Sequence, residues 1–307
     1  DAIKPNLVQT IDGNPAILHG GPFASIAQGT NTAIATKMGL SLGDYVVTEA
    51  GFGADLGAEK FLHIKCEQSG LKPDAVVLVA TIRAIKHHAG LVAEYFKTEN
   101  VSAIEKGFCN LEKHIENMQQ FGLNPVVCIN AFPDDTQAEY DKLKELCATK
   151  GVTAIVSTAF AHGGKGSAEV AQKVVEEIEK GTANYNPLYQ PSDSIEHKIN
   201  VVAKTIYGAN SVEFSTKSKA QLKMITDLGF GHFSVCMAKT PASFSDNEKL
   251  IGRPANFDIT VREFEISSGA GFIVPLLGDV MLMPGLPAVP NAERIDIDNN
   301  GVITGLS

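Results

Sequence analysis

Apolar positions in the first two-thirds of the chain fall into two alternating kinds of run. Short, β-branched runs without internal alternation occupy residues 45–48, 75–81, 126–130 and 152–157, the pattern expected of strands covered on both faces. Between them, apolar residues recur at helical spacing over about 22–39, 56–69, 101–121, 136–150 and 165–180. The punctuation agrees with this reading. Pro22 stands where a first helical turn tolerates proline, and Gly70 and Gly151 stand where helices end. Asp135 or Thr136 can cap the helix beginning near Gln137, and Asp55 the helix beginning near 56. The order predicts an α/β fold with a doubly wound, mostly parallel sheet. Residues 181–198, richer in Pro, Asn and Ser, read as a connection. Residues 257–276 read differently, as two β segments, FDITVREFEI and AGFIVPL, joined by Ser-Ser-Gly within a smaller α+β C-terminal domain. Expected domain boundaries follow as 1–121, 122–212 and 213–307.

Composition narrows the function classes. The 307 residues are 44% hydrophobic and 20% charged, enough for a sizeable core and against long disordered tracts. A net charge of −9 argues against a nucleic-acid partner, whose phosphates need a basic face, but leaves small anions possible. No apolar run has bilayer length, and no signal peptide is evident. Cys66, Cys109, Cys128, Cys147 and Cys236 are scattered and odd in number, so they read as reduced thiols of a cytosolic protein. The chain opens Asp-Ala, which suggests a fragment or a processed product.

In an open parallel sheet, ligands sit beyond the carboxyl ends of the strands. The four expected strands are followed by TEAGFGADLG, ATIRAIKHHAG, INAFPDD and STAFAHGGKG. Three of these carry a phenylalanine just past the strand: Phe52, Phe132 and Phe160. Gly51 and Gly53 permit close backbone approach around Phe52, and rings from neighbouring strand ends could clamp a flat heterocycle; the plainer alternative is that each ring plugs the top of the core. Glu49 could ligate a cation, orient a substrate or simply be solvated. HGGKG at 162–166 and LHGGPF at 18–23 could hold an anion on backbone N–H groups or be ordinary helix starts. Neither is a G-x-x-x-x-G-K-[ST] phosphate loop. His162, beside Phe160, is a candidate site residue or a surface hydrogen-bonding histidine. The Met283–Pro287 turn is rigid and could line a site.

The long stretch LVQTIDGNPAILHGGPFASIAQGTNTAIATKMGLSLGDYVVTEAGFGADLGAEKF resembles formate–tetrahydrofolate ligase, as do CINAFPDDTQAE, AHGGKG and SSGAGFIVPLLGDVMLMPGLPAVP. The resemblance runs from Pro5 to the C-terminus. It implies ATP-dependent ligation of formate to tetrahydrofolate, giving 10-formyltetrahydrofolate through formyl phosphate. It also implies Mg²⁺ with the ATP, a monovalent cation (K⁺ or NH4⁺) and a cytoplasmic homotetramer. By the same resemblance Phe132 and Pro133 match the folate-binding loop, and Phe160 stands where many members carry Trp, a residue this chain lacks. Phe52 matches the loop between the formyl phosphate and folate positions. Gly20, Gly21 and Pro22 match a turn lining the formyl phosphate region, and Pro284 and Gly285 lie in a turn approaching the nucleotide. The three domains then become the remainder of the nucleotide and formyl phosphate domain, a folate-binding domain and the C-terminal domain. The family's phosphate loop is not among these residues, so the polypeptide is expected to be inactive alone. A non-catalytic folate or purine binding module, or an inert fragment, are the competing expectations.

Overall fold

The computed structural model describes residues 4–278, 280 and 287–305. The chain opens with a hairpin of β1 (Asn6–Gln9) and β2 (Pro15–Leu18). Helix α1 (Ala33–Leu42) follows, capped by Thr32, whose side chain accepts from the Ala35 amide. The next helix runs as α2 (Gly57–Lys60), widens to π geometry over Phe61–Cys66, and finishes as α3 (Glu67–Ser69) at the left-handed Gly70. Then come β3 (Val77–Ala80), α4 (Ile82–His88), α5 (Val101–Gln120), β4 (Val126–Asn130), α6 (Gln137–Thr149) and β5 (Ala154–Ser157). α7 (Ala159–His162) and α8 (Ala168–Glu179) flank a short 3-10 turn, and α9 (Ile195–Val201) passes into a second π segment at Val202–Tyr207.

β3, β4 and β5 form a parallel sheet in chain order, with Ala80 opposite Ile129 and Asn130 opposite Ser157. A second, mixed sheet has the order β6 (Ser211–Phe214), β8 (Asp258–Ser267), β9 (Phe272–Leu277), β7 (Ser234–Val235). Its β8–β9 pair is the hairpin expected around Ser-Ser-Gly, and α10 (Thr216–Asp227) connects β6 to β7. A short hairpin of β10 (Asp296–Ile297) and β11 (Ile303–Thr304) lies near the end. The chain is therefore an α/β protein with one parallel and one mixed sheet.

Two local expectations are corrected and a third is narrowed. Residues 45–48 form no strand: Val46 packs against α1 at Gly39, while Tyr45 and Val47 are 55% and 91% exposed. A strand of a covered parallel sheet would bury both faces. The helix expected from 22 begins only at Ala33, because Gly20 and Gly29 take left-handed backbone and Thr32 supplies the cap; Pro22 lies in the preceding loop. Of Asp135 and Thr136, it is Thr136 that caps α6, in a reciprocal box with Glu139.

The parallel sheet is held by packing and by one buried charge pair. α5 turns Ile104, Phe108, Leu111, Ile115 and Met118 onto the core along one stripe. Lys113 and Asn117, on the same helix, donate to the carbonyls of Thr205 and Ile206 at 2.6 and 2.9 Å. Those carbonyls lie in the π segment, where widening leaves backbone acceptors for a neighbour. Between α4 and α6, Lys86 Nζ meets Glu139 Oε1 at 2.6 Å, with both side chains fully buried. Lys86 also donates to the carbonyls of Phe96 and Thr98, both at 2.8 Å, which uses all three of its protons. Glu139 in turn accepts from the amides of Asn100 and Thr136. Removing one partner of such a pair strands a charge in the interior. Lys86→Met is expected to lower stability by about 3–5 kcal/mol, and Lys86→Met with Glu139→Leu by clearly less. Urea unfolding followed by circular dichroism checks the order; equal losses in the two variants would refute it.

Candidate functional site

The carboxyl ends of β3, β4 and β5 lie side by side, so the segments that follow them share one edge. The β4–β5 ladder runs one residue further, the Ala131 amide donating to the Ser157 carbonyl at 3.0 Å. Phe132 comes immediately after. Its amide donates to Asp135 Oδ2 at 2.8 Å, and Asp135 also accepts from the Tyr140 hydroxyl at 3.1 Å. Burial, with Asp135 adding to it, pushes the Tyr140 phenol well above its ordinary range, so it stays a donor. The Phe132 loop is thus pinned to the first turn of α6. Its ring is half-buried, with Pro133 exposed beside it.

Phe160 lies past β5, on the one-turn helix α7, and is 96% exposed. It plugs no core. Its turn is fixed from beneath: the Thr158 amide donates to Gly166 O at 3.0 Å, and the hydroxyls of Ser157 and Ser167 meet at 2.9 Å. The Gly164 amide donates to Asp12 at the tip of the β1–β2 hairpin, so the HGGKG segment reaches the N-terminal part of the chain. His162 is exposed and pairs with the Thr158 hydroxyl. Phe132 and Phe160 make no ring–ring contact with each other among the described residues.

Arg83, absent from the sequence-level candidates, joins this group. It leaves the end of β3 on α4, and its guanidinium carbon lies 4.0 Å from the centre of the Phe132 ring. Asp134 Oδ2 holds its Nη2 at 3.0 Å. The Arg83 Nε is sealed from solvent without an acceptor among the described residues. An arginine two residues past a strand, and a second Asp in AFPDD, were the signals available.

Phe52 belongs to a different pair of loops. Its backbone is left-handed at φ 64°, uncommon for a non-glycine residue, and its ring is 47% exposed. The Gly51 amide donates to Gly29 O at 3.1 Å, and the Lys60 ammonium to Ala24 O at 2.7 Å. These bonds bring the Phe52 loop beside the segment following Gly20, Gly21 and Pro22. His19 Nδ1 meets the Thr32 hydroxyl at 2.8 Å, which docks the Gly20–Pro22 turn at the start of α1. A Cβ on Gly57 would sit 1.9 Å from the Gly51 carbonyl, so only glycine lets α2 start against this loop. Glu49 is exposed and in irregular chain, not at a strand end. Pro284 and Gly285 lie outside the described residues.

Asp55 is not the expected helix cap. The cap position is Leu56, without a side-chain bond, and Asp55 instead meets Lys239 Nζ at 2.7 Å, both being buried. Burial pushes the Lys239 ammonium down while Asp55 pulls it up. Beside this pair is a recess of about 130 Å³ lined by Gly53, Asp55, His88, Asn110, His114 and Phe244, among others. His114 Nδ1 has no hydrogen-bond partner among the described residues, and burial lowers the pKa of the ring. His88 accepts from the Gly252 amide at 3.1 Å, and burial, helped by His87, pushes it down to about 4. Nothing in the sequence marked this cluster, because its members are spread from residue 53 to 244.

A family model for formate–tetrahydrofolate ligase matches residues 1–307. The chain belongs to that family. It is by this membership an enzyme whose reaction class is the ATP-dependent ligation of formate to tetrahydrofolate, with ATP and tetrahydrofolate as substrates. No helix among the described residues is long and apolar enough to cross a membrane, and the five cysteines are unpaired.

The recess yields a pH prediction. His88 binds its proton less readily folded than unfolded, so its contribution is intact above the ordinary value of 6.5 and is lost as pH falls from there towards 4. The loss amounts to at most about 3 kcal/mol. His88→Gln is expected to flatten that part of the stability–pH curve, measured by urea unfolding between pH 7 and 4.5; an unchanged slope would exclude His88 as its source.

Proposed function

We propose that this chain supplies the folate clamp and the formyl phosphate border of the ligase reaction. One observation carries the reading: Phe160, just past the end of β5, is 96% exposed, and the half-buried Phe132 follows the end of the neighbouring strand β4. A benzyl ring left almost wholly in water forgoes roughly 2 kcal/mol of burial, and a planar guest between the two rings would recover it. The pterin of tetrahydrofolate is such a guest, and the family reaction consumes it. Phe132, Pro133 and Phe160 then hold the pterin. Phe52, with Gly51 and Gly53, borders the acyl phosphate together with Gly20, Gly21 and Pro22.

The chemistry on this reading has two displacements. A formate oxygen attacks the γ-phosphorus of ATP, and ADP leaves, giving formyl phosphate. The N10 amine of tetrahydrofolate then attacks the formyl carbon; phosphate leaves and the amine sheds one proton, giving 10-formyltetrahydrofolate. Neither displacement requires a strong protein base, so the chain's contribution is positioning and exclusion of water. The clamp fixes the amine against the carbonyl. Phe52, held in a strained left-handed backbone, covers the acyl phosphate from water, and Glu49 on the same loop orients the substrate side. Mg²⁺ accompanies the ATP and a monovalent cation assists on this reading. Among the described residues no group of three or more His, Cys, Asp or Glu could hold a metal, so no step is assigned to one. The unpaired cysteines support a reducing, cytoplasmic setting. The exposed Leu7, Ile11, Leu18, Leu42 and Val47 support burial against other subunits in a homo-oligomer, a tetramer by resemblance.

Anaerobic calorimetry with tetrahydrofolate tests the clamp. Phe132→Ala and Phe160→Ala should each weaken binding by about 1–3 kcal/mol, and Phe160→Trp should strengthen it. A binding heat that neither alanine variant changes, or no binding by the unaltered chain, would overturn the reading.

A further inference from the structure

Phe132 is not a free ring. One face is covered by the Arg83 guanidinium, whose central carbon stands 4.0 Å from the ring centre. That contact is built rather than incidental. Arg83 and Asp134 are 31% and 38% exposed, and their ion pair at 3.0 Å aims the guanidinium plane. Arg83 accepts a sealed Nε–H without an acceptor to stay there, an arrangement that costs free energy. The backbone under Phe132 is fixed by the second aspartate, Asp135. The two acids of AFPDD thus divide the work, one setting the loop and the other setting the cation on the ring.

The consequence is a ring with two unlike faces. A heterocycle can reach only the face opposite Arg83. A cation held against one face of a benzene ring draws π density towards itself, since the attraction is to the ring's negative face. The opposite face is then less negative than that of an ordinary phenylalanine. Such a face stacks more favourably with an electron-rich ring than with an electron-poor one. The aminopyrimidinone of a tetrahydropterin is electron-rich; the fully oxidised pterin of folic acid is electron-poor.

We infer that Arg83 is a positioning and selectivity residue acting through Phe132: it fixes the face on which the pterin stacks and favours the reduced, electron-rich pterin over the oxidised one. This rests on the reading of Phe132 as part of the pterin clamp. Arg83 need not touch the pterin.

Calorimetry on the purified chain under anaerobic conditions, with tetrahydrofolate and folic acid as the two probes, tests it. Arg83→Met removes the charge but keeps an apolar chain of similar length. It should cost about tenfold in tetrahydrofolate affinity and less than about threefold in folic acid affinity. Arg83→Lys, a cation without the planar fork, should recover only part of the preference. Asp134→Asn, which leaves Arg83 in place but loosens it, should shift the ratio the same way by a smaller factor, and it serves if Arg83→Met does not fold. A purely structural role would lower both affinities equally, so an unchanged ratio in Arg83→Met and Asp134→Asn would overturn the inference. So would tetrahydrofolate binding within twofold of the unaltered chain in both variants while Phe132→Ala abolishes it, and that result would leave the clamp standing. Binding of neither probe by the unaltered chain would remove the clamp and this inference together.

Discussion

The buried Lys86–Glu139 pair decides where the pieces of the site stand. α4 leaves the end of β3 carrying Arg83, three residues before Lys86, and α6 begins just after the Phe132 loop and carries Glu139 in its first turn. With the two side chains joined at 2.6 Å and fully buried, neither helix can shift along the sheet edge without uncovering a charge. The cost of doing so is several kcal/mol, more than the stacking of one guanidinium on one ring provides. Arg83 therefore meets Phe132 because the helices beneath them are already fixed. The capping box at Thr136 extends the same constraint, since Glu139 serves the helix start, the Asn100 amide and Lys86 at once.

Above that base the three strand ends contribute unequal parts. β3 brings a cation, β4 a half-buried ring, and β5 a ring almost wholly in water. Parallel pairing makes this possible, because it points all three exits the same way, whereas an antiparallel pair would send alternate exits to opposite edges. The serine pair below α7 and the Thr158–Gly166 bond keep Phe160 on a defined turn despite its exposure. Its exposure reflects placement by the backbone, not looseness of the segment.

What could be read from the sequence follows from how locally each feature is determined. β4 was legible to the residue, as were α5 and α6 to within a residue or so, because strand β-branching, a regular stripe and a Thr-x-x-Glu box are all short-range signals. The run at 45–48 was misread because a short apolar segment has the same composition whether it pairs in a sheet or lies against a helix. Val46 does the latter, against Gly39. The rings of Phe132 and Phe160 were placed at strand ends correctly. Arg83 was missed because its role depends on a contact across a crossover of some fifty residues. Asp55 was misassigned for a related reason: it stands where a cap would, but a buried lysine 184 positions later outcompetes the local amides.

That competition explains the shape of the Phe52 loop. An aspartate at a helix start ordinarily satisfies nearby backbone N–H groups and leaves the preceding residues in extended geometry. Here Lys239 draws Asp55 inward, the start of α2 is uncapped by any side chain, and the Gly53 carbonyl takes the amides of Leu56 and Gly57 instead. To present that carbonyl, the chain must turn back sharply just before it. Phe52 absorbs the turn with a left-handed backbone that costs a non-glycine residue of order 1 kcal/mol or more. Glycine at position 52 would relieve that cost, yet the position holds an aromatic ring that is half in solvent. The strain at Phe52 is thus the local consequence of Asp55 turning to Lys239 and not of core packing, to which the half-exposed ring contributes little.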